Sequence, residues 1–431
     1  MKRLVATLIT AICSAALLSM YLVPTAEAVP YTPKNGVTFN NPAKSRSKER
    51  AIIDQLNRAI SATPRGATIS MIMYLFNDNS ATSRLIAAHQ RGVNVQVLID
   101  DGANTSQVRK LRSALRVKTK YGNSSFVRSC KRGCFTNNIS TIHSKVYAFS
   151  QVGLAKNVTI ISSANPHGVN IYNSWNNQHT IVNNATMYNA MRKYFLDSLK
   201  DVTNHSYGNQ FGTVSSGVYS VYLYPRRPAN PVQYLQVLNS VKCRTAKNMG
   251  SSGRTVVRLG IWGFTNPRMD VARKLWSLHN AGCKVDVTLN RGRASRTIMR
   301  QLLKKSSRYG QMRVEDAWRD RNRNDYGELY IHHKALIVNG YVQGRNQRVV
   351  WTGSQNLTSS GSLYNDDLIV RIAHTGTYFA YSKNLTYIQK YYAKRLRKTP
   401  PPIVLKSKRD DARGLTPDAY VERQAEMESD G

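Results

Sequence analysis

The chain repeats itself, and that constrains its fold more than any other feature of its 431 residues. The apolar stretch Met71 to Phe76 is followed by a polar turn, a helical run Ser83 to His89, Arg91-Gly92 and an alternating segment, Val93 to Ile99. The same order returns as Leu259 to Phe264, a polar turn, Val271 to Leu278, Ala281-Gly282 and Lys284 to Leu289. Each copy reads as a strand, a helix of 3.6-residue period, a glycine at the helix end and a second strand. Units of this length predict parallel strands joined by right-handed crossovers. Matched positions stay 188 to 191 residues apart. Repeat one is therefore placed at 37–212 and repeat two at 217–397, with the junction near Gly208 to Gly212.

What surrounds the repeats bears on compartment. Met1-Lys2-Arg3, an apolar run from Leu4 to Val23, and Ala26-Glu27-Ala28 have the order of a secretory leader. A signal peptide of residues 1–28, cut after Ala28, and an exported, soluble mature chain are expected. An uncleaved membrane anchor is the weaker reading, although the run is nearly long enough to span a bilayer. Losing the leader removes Cys13 and leaves Cys130, Cys134, Cys243 and Cys283. An even number in an exported chain predicts at least one disulfide, and four cysteines permit three pairings; Cys130 and Cys134 enclose a tight Lys131-Arg132-Gly133 loop, and Cys243 with Cys283 would staple the second half. A zinc site is disfavoured, since no Cys-x-x-Cys spacing or nearby histidine pair supports it. Beyond Lys398 come prolines and then charge without periodicity, so residues 398–431 are expected to form an extended or disordered tail.

The chemistry sits in two matched constellations. His143-Ser144-Lys145 opens an apolar strand and is followed by Ser162-Ser163-Ala164-Asn165; His332-His333-Lys334 opens another and is followed by Gly353-Ser354-Gln355-Asn356. Histidine and lysine, two apart, project from one strand face. Cleavage of a phosphodiester needs a nucleophile, an acid for the leaving oxygen, and donors for the phosphoryl oxygens. Two imidazoles can share the first two tasks near neutral pH. Lys145 and Lys334 can neutralise the phosphate, and Ser163, Asn165, Ser354 and Asn356 are candidate phosphate-binding residues. No carboxylate cluster suggests a metal ligand set, and no cofactor is expected.

The doubled pattern resembles the phospholipase D superfamily, whose signature is H-x-K-x4-D followed by G-[SG]-x-N, usually twice in one chain. The resemblance implies an α/β fold of two pseudo-twofold-related repeats, each a mixed sheet flanked by helices, packed around one active site. It also implies that His143 is the nucleophile, passing through a phosphohistidine, and that His332 is the acid and then the base. The chain departs from the signature in two respects. Ser150 and Asn339 stand where the motif aspartates belong, a lack in which tyrosyl-DNA phosphodiesterases look similar, and Ser162 replaces the first glycine. The family also places a polar residue to orient each histidine. Aligning Ser174 to His179 with Ser362 to Asp367 offers Asp366 or Asp367 for one imidazole and Asn177 or Gln178 for the other.

Three functions fit. The first is a secreted phospholipase D hydrolysing a phospholipid head-group ester, for which export and 24 tyrosines speak. The second is an exported nuclease, for which a formal net charge of +38 and the missing aspartates speak. The third, a non-catalytic polyanion binder, sits badly with two intact His-x-Lys pairs. The expected partner is an anionic phospholipid surface or a nucleic acid, and the chain is expected to be a monomer with internal pseudo-dimer symmetry.

Overall fold

The computed structural model describes residues 31–136, 140–227, 233–319 and 329–401. The leader expected at 1–28 lies outside them, as does the tail from residue 402. Among the described residues no helix is long and apolar enough to cross a membrane.

The first half builds a seven-stranded sheet in the order Gly36–Phe39, Asn177–Ile181, Ala155–Ser162, Val146–Val152, Thr68–Met73, Asn94–Asp100, Phe126–Cys130. The second half repeats that order with Tyr219–Leu223, Leu368–Ile372, Arg345–Gly353, Lys334–Val342, Val256–Ile261, Lys284–Leu289 and Arg313–Asp316. One further short strand is added at each edge, Thr213–Ser216 and Lys394–Arg395. In both sheets three strands run parallel, as the strand–helix–strand reading requires, and the others are antiparallel. The architecture is thus mixed α/β in two like repeats.

Local sequence explains the shared crossover. Helix Asn79–Gln90 starts where the Asp78 side chain accepts the Ala81 N–H at 2.8 Å, meeting a donor that the first turn leaves unbonded. It ends at Gly92 and its counterpart Met269–Asn280 ends at Gly282, with φ of 89° and 91°. A Cβ on Gly92 would lie 2.8 Å from the Tyr121 ring, and one on Gly282 would lie 2.7 Å from the Tyr309 hydroxyl. Both conformation and space therefore demand glycine there.

Three apolar clusters form the core. One lies within each repeat, and the third joins residues of both, among them Ile72, Val146 and Trp175 with Ile337, Val350 and Leu385. Helix Ala185–Ser198 packs on its own sheet and on Thr213–Ser216 of the other. Helix Thr375–Tyr391 does the converse, reaching Gly36–Phe39. The repeats are thereby locked face to face. Two disulfides are present, the expected Cys243–Cys283 and a second, Cys130–Cys134. Cys243–Cys283 closes a separation of 40 residues, a constraint on the unfolded chain of about 4 kcal/mol in the loop-entropy account.

His179, on strand Asn177–Ile181, is buried, and neither ring nitrogen has a hydrogen-bond partner. Burial first, and then His374, push its pKa down to about 3. A depressed histidine contributes stability that is complete above its unfolded value near 6.5 and is lost as pH falls toward 3, because only the unfolded chain takes up the proton. The slope approaches about 1.4 kcal/mol per pH unit for this group. Replacing it with an apolar ring, His179→Phe, should flatten the acid side of the melting-temperature profile between those pH values. An unchanged profile, measured by circular dichroism, would remove His179 from the acid response.

Candidate active site

Two backbone exchanges bring the motifs together. Leu329–Ile331 pairs in parallel with Ser174–Trp175 of the first repeat, and the His332 N–H continues that ladder to the Trp175 carbonyl at 2.9 Å. On the other side the His143 and Ser144 N–H groups both bond the Asp366 carbonyl, at 3.1 and 2.8 Å. The Asp366 N–H returns a bond to the Thr141 carbonyl. Each His-x-Lys thus enters its strand held by the backbone of the opposite repeat.

The side chains repeat the exchange. His143 Nδ1 lies 3.0 and 3.2 Å from the Asp367 carboxylate oxygens, and His332 Nδ1 lies 2.8 Å from Asn176 Oδ1. These partners assign the Nδ1–H tautomer to both rings and leave Nε2 as the basic nitrogen. Lys334 Nζ meets His332 Nε2 at 2.8 Å, while Lys145 Nζ donates to the His143 carbonyl at 2.6 Å. An aromatic just after strand Thr68–Met73 and another just after Val256–Ile261 complete the match. Tyr74 lies 5.7 Å from the His143 ring and Trp262 5.5 Å from the His332 ring, and each also lies 5.5 Å from its repeat's lysine.

The structure redistributes the residues expected to orient the histidines. Asp367 meets His143. For His332, however, the partner is Asn176, not Asn177 or Gln178. The Asn177 amide meets His333 at 2.7 Å, on the opposite face of the strand, and Gln178 bonds Gln55 at 3.1 Å. Asp366 contributes its carbonyl, and its carboxyl group accepts the N–H groups of Cys134 and Phe135 in the disulfide loop. The signal for Asn176 was available. Ser163 and Asn165 are 191 residues from Ser354 and Asn356, and the same interval carries Asn176 onto Asp367.

The residues expected to grip phosphate have structural duties as well. Ser163 Oγ donates to Asn176 Oδ1 at 2.9 Å, and Ser354 Oγ donates to the Asp367 carboxylate. Both hydroxyls therefore support the acceptors that support the histidines. Asn165 Oδ1 accepts the Leu75 N–H at 3.1 Å and Asn356 Oδ1 the Gly263 N–H at 3.3 Å, fixing the loops that carry Tyr74 and Trp262. The amide of Asn165 is also bonded, to Asn170 at 3.0 Å. Ser150 and Asn339, in the aspartate positions, accept the N–H groups of Thr68 and Gly250 at 2.9 and 3.0 Å.

All four motif side chains are buried; His143, at 4% exposure, is the most open of them. Burial, then Lys145, lowers the His143 pKa, against which Asp367 acts upward. Burial also holds His332 well below its ordinary value, followed by Lys334, Lys145 and His143. Because His332 feels Lys145 and His143, the two motifs share one electrostatic site. Burial works to raise the Asp367 carboxyl, but His143 beside it brings it below the usual range. Asp366 is raised well above that range by burial, despite its two backbone donors. Two lysines therefore share the site with one carboxylate held below its usual range, a balance that suits an anion. Among the described residues no group of three or more His, Cys, Asp or Glu is arranged to hold a metal ion.

Phosphatidylserine synthase from Haemophilus influenzae Rd KW20 is similar over 91% of this chain and 94% of its own, at 14% identity and a TM-score of 0.56. Polyphosphate kinase from Porphyromonas gingivalis is similar over 92% of this chain, at 13% identity and a TM-score of 0.53; the present chain spans about half of it, 53%. These likenesses are of fold. No curated protein matches the chain. A family model described as "Cardiolipin synthase, PLD-like domain" matches residues 52–199 and 251–389, the two segments that carry the paired histidines and lysines. The chain belongs to that phospholipase D-like family.

Proposed function

We propose that the chain hydrolyses phosphodiesters with His143 as nucleophile and His332 as general acid and then base. The observation that carries the reading is the anchoring of each Nδ1 by the opposite repeat, which leaves two Nε2 atoms among shared lysines. His143 Nε2 attacks phosphorus, and an N–P bond forms as the bond from phosphorus to the leaving oxygen breaks. Asp367 stabilises the resulting cationic ring. His332 gives the leaving oxygen its proton; the bound diester's negative charge raises the affinity of His332 for that proton. Water then attacks phosphorus as His332 takes its proton, the N–P bond breaks, and His143 is restored. Lys145 and Lys334 neutralise the phosphoryl oxygens. One chain supplies both halves, so the site needs no second copy.

On substrate, the surroundings of the site favour the nucleic-acid alternative over the phospholipid head group expected first from the sequence. The His332 side of the site carries Arg293 over the Trp262 ring and Tyr330 beside the imidazole, groups that suit a phosphate and a base. Export belongs to the same proposal, supported by the leader at 1–28 and the two disulfides.

His143→Ala and His332→Ala should each lower turnover of bis(4-nitrophenyl) phosphate by about three orders of magnitude, with the double variant little worse. His333→Asn should lose less than roughly tenfold, since His333 bonds Asn177 away from the site. Equal damage from His333 would refute the strand register. Activity should persist in excess chelator; loss restored by a divalent ion would refute the two-histidine mechanism.

The pH dependence follows from the same environment. Attack requires neutral His143, whose pKa is lowered, so the acid limb of kcat/KM should fall below 6.5. Asp367 raises that pKa, so Asp367→Asn should move the limb further down while lowering kcat on the order of a hundredfold or more. A limb that moves up in this variant would show that the titrating group is not His143.

A further inference from the structure

The two matched turns that flank the site have opposite charge. At an interval of 190 residues, Asp100-Asp101-Gly102-Ala103 in repeat one answers Asn290-Arg291-Gly292-Arg293 in repeat two. Each follows the equivalent strand, since Met73 pairs with Ile99 as Ile261 pairs with Leu289. The acidic turn adjoins His143, because Asp100 Oδ2 accepts the Ile142 N–H at 2.9 Å and Asp101 stands exposed. The basic turn adjoins His332. Arg293 lies 5.1 Å over the Trp262 ring, whose other neighbours are His332 and Lys334. Arg293 is half-buried, and its guanidinium meets no carboxylate among the described residues. A half-buried cation of this kind is stabilised by an incoming anion.

Flat rings accompany the arginines. Trp318 and Tyr330 stand opposite each other on the antiparallel pair Trp318–Arg319 and Leu329–Ile331, and both are half-buried. Arg291 lies 4.5 Å over the Trp318 ring and 3.3 Å from the Asp316 carboxylate, which leaves Arg293 as the turn's cation without a carboxylate among the described residues, and the Tyr330 ring is 6.2 Å from His332. Arginines interleaved with aromatic rings suit a strand of nucleotides: the guanidiniums meet phosphates and the rings accept bases.

We propose that Arg291, Arg293, Trp318 and Tyr330 form a nucleotide subsite on the His332 side, which holds the leaving-group half of a single-stranded nucleic acid. The assignment of sides rests on the two-histidine reading, in which the group departing in line from His143 leaves toward the acid, His332. A leaving strand carries a further phosphate and a base, which the turn and the rings meet. Choline or ethanolamine, the leaving group of a head-group hydrolysis, brings a positive charge that Arg291 and Arg293 repel. On the opposite side burial raises Asp100 to about 7, so the exposed Asp101 is the carboxylate that disfavours a second phosphate beside His143.

The test is binding, which separates the subsite from the chemistry. Full-length His143→Asn protein is titrated with a short fluorescein-labelled oligothymidylate. Adding Arg291→Ala with Arg293→Ala should weaken binding by about tenfold or more and lower the log–log salt slope by about one to two. Trp318→Ala should weaken it by about tenfold and Trp318→Phe by much less, since a ring is retained. Lys118→Ala with Lys120→Ala, exposed and remote, removes the same charge and should leave binding unchanged. AMP should compete better than inorganic phosphate.

Equal affinity of the arginine variant and the lysine control would overturn the subsite, even if diester turnover is normal. Equal competition by phosphate and AMP would overturn the role of the rings. Binding to phosphatidylglycerol vesicles that is lost in the arginine variant, with no oligonucleotide binding, would overturn the nucleotide assignment in favour of lipid. Arginine-dependent oligonucleotide binding in a protein that turns over no diester would support the subsite and refute the two-histidine proposal alone.

Discussion

Neither repeat can present its own histidine. Asp367 holds the Nδ1 of His143 and Asn176 holds that of His332, and the backbones on either side are exchanged in the same sense. The site therefore exists only when the halves dock, and the shared apolar cluster between the sheets does the docking. A buried polar network is stable only when its members are satisfied together. Ser163 and Ser354 bond the very acceptors that hold the rings, which extends that satisfaction by one more layer on each side. The chemistry is thus tied to the packing between repeats, and weakening that packing should loosen both imidazoles at once.

Symmetry builds the site, and departures from symmetry let it work. Two equivalent imidazoles would have equal proton affinities, whereas hydrolysis requires one to attack and the other to carry a proton. Asp367 opposite Asn176 breaks the tie, because a carboxylate stabilises a cationic ring and an amide carbonyl does so much less. Trp262 opposite Tyr74, and a basic turn opposite an acidic one, extend the difference to the two sides of the site. Duplication supplied the frame, and single substitutions at matched positions supplied a direction.

The fold was legible because its signals are local and occur twice. Strands Thr68–Met73 and Val256–Ile261 and the helices after them show their periods within a dozen residues. The extra edge strands Thr213–Ser216 and Lys394–Arg395 do not, since four and two residues carry no period. The His-x-Lys pairs were legible for the same reason as the strands. Pairing the segments after the motifs on their leading serines, Ser174 with Ser362, passes over Asn176, which only the interval that Ser163 and Ser354 keep brings onto Asp367. The duties of Ser163 and Ser354 were not legible at all, because a hydroxyl's orientation follows from partners brought close only by folding.

The missing motif aspartates follow the same physical logic. Ser150 and Asn339 each accept one backbone N–H, closing the entry to the neighbouring strand. A neutral oxygen can do that, whereas a buried carboxylate needs several donors or a cation to offset its desolvation. Asp367 has such support from His143 and Ser354, and it stays ionised; Asp366, with two backbone donors, is raised toward neutrality. A carboxylate at Ser150 or Asn339 would have had to find equal support. The chain keeps ionised acid where an imidazole needs it, and elsewhere on these strands it uses neutral acceptors, leaving the positive charge of Lys145 and Lys334 for a phosphate.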